Sequence, residues 1–219
     1  MTDFAQNVCV AITGASGSPY ALRLIEVLLA KNCQVSVIFS KAAQLVMATE
    51  TELKVPGNVR AQAEYLQQHF SAKVTGMKAE QLTVYGREDW MSPWASGSGR
   101  KGALVVCPCS TGTLSAIATG ASNNLIERAA DVAIKERRPL ILVPRETPFS
   151  QIHLQNMLTL SQMGAVVLPA APGFYRQPQS IEDLVDFVVA RILNQLNIEH
   201  DLLARWGEDG ESELSEEKE

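Results

Sequence analysis

Two short stretches pair glycine and small hydroxyl residues with the end of an apolar run. "TGASGS" at 13–18 follows "NVCVAI", and "CPCSTG" at 107–112 closes the run that opens with "ALVV". In each, a strand-like segment turns straight into a helical pattern. The first N–H groups of such a helix have no intrahelical partner, and the helix dipole favours an anion in front of them. Pro19 stands close to the first helical position, where its missing N–H removes no needed donor. Gly14-Ala15-Ser16-Gly17-Ser18 misses the G-x-G-x-x-G dinucleotide spacing. Cys109, Ser110, Thr111 and Gly112 repeat the same mix of small side chains and hydroxyls. A tight turn with no ligand is the plain alternative for either corner.

Ser40 closes a third apolar run, "QVSVIF" at 34–39. No acidic residue stands there to grip a ribose 2′-hydroxyl, which argues for a mononucleotide, FMN being the candidate, over a dinucleotide. Cations cluster further on. Arg145 and Glu146 follow the run "LILVP", and Arg128 and Lys135, seven apart, share one helix face. Several cations on one rim suit a second phosphate, although a solvated helix face explains Lys135 and Arg137 equally well. "PAAPGFYRQPQS" at 169–180 reads as a loop closing over that rim with Tyr175 and Arg176. Arg191 falls in "LVDFVVARIL", a helix apolar on one face, where a buried cation needs an anionic partner. The irregular stretch 86–102 holds Trp90 and Trp94 and reads as a flap.

The elements that must carry these residues alternate. Continuous apolar runs at 7–12, 34–39, 103–107, 140–143 and 165–168, with 82–85 as a sixth, suit strands buried on both faces. Helical patterns at 19–31, 41–50, 58–70, 111–119, 123–137, 150–163 and 180–196 lie among them. The class is therefore α/β with a mostly parallel sheet and right-handed crossovers. Ser150 and Ser180 occupy N-cap positions.

With 219 residues and no linker-like segment, one domain over 1–207 is expected. Residues 208–219 carry seven acids and one lysine and read as a solvated acidic tail. The body that remains has a net charge of +1, so no nucleic-acid surface is expected. No apolar run reaches membrane length, and "MTDFAQNVCVAI" lacks a basic leader, so a cytoplasmic protein is expected. Its four cysteines lie in apolar runs and read as packed, reduced thiols, while the three histidines lack metal-ligand spacing.

Four segments together resemble the UbiX family of flavin prenyltransferases: "TGASGSPYALRL", "SKAAQLVMATE", the long "CPCSTGTLSAIATGASNNLIERAADVAIKERRPLILVPRETPFS" and "PAAPGFY". The likeness runs over residues 8–206 and leaves out the acidic tail. It implies a Rossmann-like, three-layer αβα flavoprotein that assembles as a dodecamer with sites at subunit interfaces. The implied reaction joins the dimethylallyl group of dimethylallyl monophosphate to reduced FMN and closes a ring across flavin N5 and C6. The prenylated FMN then serves a UbiD-type decarboxylase, as in ubiquinone biosynthesis. The likeness assigns Gly14, Ala15, Ser16, Ser40, Cys109, Ser110, Thr111, Gly112 and Arg145 to FMN. It assigns Tyr175 and Arg191 to the prenyl donor, with Arg128, Lys135 and Arg145 around its phosphate. Glu50 and Glu146 are both implied as acid/base candidates, Trp90 faces the prenyl chain, and Ser16 and Lys135 complete the catalytic set.

The residues agree with that chemistry. The sequence holds no Asp-Asp pair with which to grip a magnesium diphosphate, so no metal is expected and protein cations must neutralise the leaving phosphate. An aromatic face steadies an allylic cation by about 1–2 kcal/mol when desolvated. Ring closure needs a positioned base. Two other functions compete. A cysteine-decarboxylase-type flavoenzyme commonly places a histidine on a site loop, and no histidine here falls on one. A flavin carrier has no use for a second phosphate site.

Overall fold

The structure, a computed structural model, describes residues 4–99 and 102–203. The acidic segment 208–219 lies outside the described residues. Six strands form one sheet: β1 (Asn7–Ile12), β2 (Gln34–Phe39), β3 (Leu82–Tyr85), β4 (Ala103–Cys109), β5 (Leu140–Pro144) and β6 (Val166–Val167). Their order is β3-β2-β1-β4-β5-β6, and every pairing is parallel. This is the doubly wound arrangement, in which strand order reverses between β1 and β4 and opens a crevice beyond their carboxyl ends.

Among the described residues seven α-helices flank the sheet: α1 (Ser18–Ala30), α2 (Lys41–Glu50), α3 (Val59–Ser71), α4 (Thr111–Ala118), α5 (Leu125–Lys135), α6 (Gln151–Gln162) and, after the last strand, α7 (Ile181–Gln195). The period-two geometry of β1 shows how the layers form. Val8, Val10 and Ile12 face a core built with Leu24, Ile25 and Leu28 of α1, Leu66 and Phe70 of α3, and Val188, Val189 and Ile192 of α7. Cys9 and Ala11 face the opposite core, with Leu114 and Ile117 of α4, Ala129 and Ala130 of α5, and Leu160 of α6. Both faces of the central strand are thus covered, which is why its sequence is a continuous apolar run rather than an alternating one.

Sequence and structure differ mainly at element ends. β4 runs two residues past the expected end, through Pro108 to Cys109, with a shift of register against β5 between Val106 and Cys109. The Cys107–Pro108 and Thr147–Pro148 peptides are cis. Four helices begin on a serine side-chain cap: Ser40 accepts from the Ala43 N–H, Ser110 from Thr113, Ser150 from His153 and Ser180 from Asp183. Such caps stabilise a helix start by about 1 kcal/mol.

Candidate active site

Three chain turns converge beyond the carboxyl ends of β1, β2 and β4. The Ser40 N–H donates to the Ile12 carbonyl at 2.9 Å, which seats the start of α2 beside the β1 turn. A Cβ on Gly14 would lie 2.4 Å from the Ala42 Cβ, so only glycine permits this approach. Gly17 has φ of 124°, a conformation that L side chains rarely adopt.

The start of α1 holds an anion, and that anion is the protein's own. Glu50, the last residue of α2, accepts from the Gly17 N–H at 3.0 Å and the Ser18 N–H at 2.8 Å through Oε2. Burial by itself would raise the Glu50 pKa. Hydrogen bonds from the Ser16 hydroxyl, the Gly17 and Ser18 amides and the Ser18 hydroxyl outweigh it and hold the carboxyl below its ordinary value. The sequence reading of this turn as an outward anion seat is therefore corrected: a glutamate 33 residues away already fills it.

The start of α4 is different. The Ser110 side chain caps the Thr113 N–H, and the Ser110 amide donates to the Thr13 hydroxyl at 2.7 Å. Among the described residues no acceptor faces the Thr111 or Gly112 N–H, and a Cβ built on Gly112 meets nothing within 4 Å. This corner is open. Cys109 contributes only backbone to it, because its side chain is fully buried and burial pushes its thiol up to about 12.

Arg145 emerges exposed from the end of β5 and donates through Nε to the Ser16 carbonyl at 3.3 Å. Glu146 follows, half-buried, and accepts from the Thr147 N–H at 3.1 Å. The rim therefore brings together Ser16, Glu50, Arg145 and Glu146, beside Ser40 and the 109–112 corner.

The other predicted residues make contacts of their own. Arg128 donates to the Ala95 carbonyl at 2.9 Å and pairs with Asp131 at 2.8 Å, tying the flap to α5. Trp94 anchors the flap in the core at 3% exposure, and Trp90 stands 48% exposed. Lys135 ends α5 and pairs with Glu136 beside Gly97. That helix starts against the Arg87 carbonyl, just past the end of β3, and finishes near Pro139, whose carbonyl binds the Leu104 N–H at the amino ends of β4 and β5. Lys135 thus lies seven residues, about 10 Å of helix, below Arg128 on the way to the amino edge. Tyr175 packs edge-on against Phe187 of α7, with ring centroids 5.7 Å apart. Arg191 is exposed on α7, so the desolvation argument for an obligatory anionic partner does not hold. The described histidines serve elsewhere: His153 accepts from the Ser150 N–H at the start of α6, His200 pairs with Asn194, and His69 lies on α3. Among the described residues no three His, Cys, Asp or Glu side chains gather as a metal site.

Known proteins share this fold. The Flavoprotein family model matches residues 2–193. A curated flavin prenyltransferase UbiX of Pseudomonas aeruginosa is 62% identical over 203 residues, which is 93% of this chain and 95% of that one. The chain belongs to the UbiX family of flavin prenyltransferases. Two solved UbiX structures resemble it in three dimensions. AnUbiX, in complex with FMN and dimethylallyl pyrophosphate, matches with a TM-score of 0.79 at 36% identity, over 92% of this chain and 97% of that chain. A dodecameric FMN-dependent UbiX-like decarboxylase from Escherichia coli matches with a TM-score of 0.76, also at 36% identity, over 89% and 96%.

One residue of this UbiX rim escaped the sequence reading. Thr13 is 1% exposed, yet its backbone N–H and hydroxyl both donate to the Pro108 carbonyl, at 3.2 and 2.8 Å. The signal was available: a threonine ends an otherwise apolar buried run, and a buried hydroxyl requires partners.

Proposed function

We propose that this chain transfers the dimethylallyl group from dimethylallyl monophosphate to N5 and C6 of reduced FMN and releases inorganic phosphate. The observation that carries this reading is the rim itself: Ser16, Glu50, Arg145 and Glu146 stand together beside the open start of α4, in a chain 62% identical to a flavin prenyltransferase. The open Thr111 and Gly112 N–H groups, with the hydroxyl of Ser40, are the donors that would hold FMN, while the Ser110 hydroxyl donates to Thr113 Oγ1 at 3.0 Å and shapes the turn. Gly14 and Gly17 keep the facing backbone low enough for a close approach. FMN supplies the nucleophilic N5 and C6 positions.

The remaining steps belong to protein side chains. Arg145 offers a forked cation to a phosphate on the rim, and the released phosphate gains charge as the allylic C–O bond breaks, so its hold strengthens toward the transition state. Glu146, next to Arg145 and half-buried, is the candidate base for the proton that ring closure must remove. Glu50 holds the 16–18 turn in place and stays ionised in the resting protein.

Arg128, Lys135 and Trp90 complete the site from another copy of the chain. The reading is supported by the position of Lys135 toward the amino edge of its own sheet and by the dodecameric relative. The product is handed to a UbiD-type decarboxylase. Among the described residues no helix is long and apolar enough to cross a membrane. The protein works in the cytoplasm, where its four buried, unpaired thiols stay reduced.

The test is an anaerobic incubation with reduced FMN and either the monophosphate or the pyrophosphate of dimethylallyl alcohol, followed by mass measurement of the extracted flavin. A gain of one C5 unit with the monophosphate is expected. Unchanged flavin with both donors overturns the reading.

A further inference from the structure

We propose that Thr13 is a positioning residue for flavin binding: it touches no ligand, yet it sets the open start of α4 against the Ser16–Arg145 corner. This rests on the flavin reading above. β1 and β4 meet where strand order reverses, so the two corners that face one ligand come from strands joined by a long crossover. Their ladder pairs β1 with β4 up to Ala11 and Val106. Beyond that point the end of β4 shifts register against β5 before Cys109 pairs with Pro144, and no ladder pairing with β1 fixes where that end lies relative to the β1 corner.

Thr13 bridges this seam. Its N–H and Oγ1 donate to the Pro108 carbonyl at 3.2 and 2.8 Å, and its Oγ1 accepts from the Ser110 N–H at 2.7 Å. Donor and acceptor capacity of the hydroxyl are both used, with partners 95 and 97 residues away in sequence. Ser110 is the N-cap of α4. Holding its amide fixes the direction of the Thr111 and Gly112 N–H groups, the donors left open. At 1% exposure Thr13 acts only through Ser110 and Pro108. The same bond also spends the Ser110 amide inside the protein, so the open donors at this helix start begin at Thr111.

The experiment compares full-length Thr13→Val, Thr13→Ser and Val10→Ala proteins with the parent. Valine keeps the branched shape and loses the hydroxyl. Val10 is fully buried within the regular part of the β1–β4 ladder, three residues before Thr13, and serves as the stability control. FMN affinity is read by quenching of flavin fluorescence, folding by thermal midpoint, and turnover as separate kcat and KM for FMN. Thr13→Val is expected to bind FMN about tenfold more weakly, with KM rising more than kcat falls. Thr13→Ser should stay within about threefold, and Val10→Ala should lose stability but keep its FMN affinity. If the valine protein does not fold, Thr13→Ala replaces it with the same expected loss. Parent-like FMN binding in the hydroxyl-free variant overturns the proposal, as does a serine variant as weak as valine. So does equal weakening in Val10→Ala, which would make the effect one of stability alone. A parent protein that does not bind FMN sinks the flavin reading instead.

Discussion

Glu50 carries an unusual double load for one carboxylate. It closes α2, and it accepts from the N–H of Ser18, the first residue of α1, at 2.8 Å and from that of Gly17, its N-cap, at 3.0 Å. Its folded pKa lies below the ordinary value, so it contributes stability above that value and loses it as pH falls through the lower, folded one. Glu50→Ala is therefore expected to cost about 1 kcal/mol at pH 7, the scale of a lost helix cap. The gap in thermal midpoint between parent and variant should narrow once pH drops below 4.5, the ordinary value for this carboxyl. A gap that stays constant down to pH 3 would remove Glu50 from this role. Glu146 makes a contrasting prediction, because among the described residues it accepts only from the neighbouring Thr147 N–H. Glu146→Gln should bind FMN like the parent and form little prenylated product, measured by flavin mass. Full activity in that variant would exclude Glu146 as the base.

At the scale of elements, the site depends on how closely two helix starts approach one strand end. Gly14 faces Ala42 with no room for a methyl group between them. Gly14→Ala should lower stability by about 1–3 kcal/mol and weaken FMN binding, since α2 must move away from the β1 corner. Ala42→Gly removes the opposing methyl. The double variant should recover much of both losses, a coupling that a double-mutant cycle measures directly. Additive losses would show that the close approach is not what Gly14 protects.

The whole molecule shows a lopsided surface. Residues 102–126 and 147–175 contain no Asp, Glu, Lys or Arg, in a chain that is 20% charged. α4 and α6 fall in these stretches and pack against each other on one side of the sheet. Leu154 and Leu158, one helical turn apart on α6, are 54% and 52% exposed, and Ile152 is 68% exposed. Depletion of charge around exposed apolar side chains fits the chemistry of a protein interface, and we propose a second copy as the occupant by likeness to the dodecameric relative. Leu158→Asp is expected to give a smaller species by light scattering, and an assembly of parental size would place the contact elsewhere. A site shared between copies also predicts complementation. Ser16→Ala and Lys135→Ala proteins, each inactive alone, should regain activity when co-expressed, because mixed assemblies contain some sites with both residues intact. No recovery would mean that both residues act within one chain.

The sequence alone determined the α/β class, the parallel sheet and the rim residues Ser16, Arg145 and Glu146. It could do so because strands buried on both faces must be continuously apolar, and because chemistry in such a sheet gathers where strands end. Even the two-residue β6 showed as an apolar run, while the end of β4 did not, because the register shift through Pro108 leaves no pattern in side-chain polarity. Tertiary structure decided which helix start stays open. Glu50 reaches the α1 corner from 33 residues away, and Thr13 grips the β4 turn across 95. Helix starts of similar composition thus end with opposite availability, since a donor's freedom depends on which acceptor the fold places in front of it. Tertiary structure also decided that Arg191 is exposed and that Lys135 lies away from its own rim. Helical periodicity groups residues on a face but does not say which face meets the core or which end of the sheet a helix reaches.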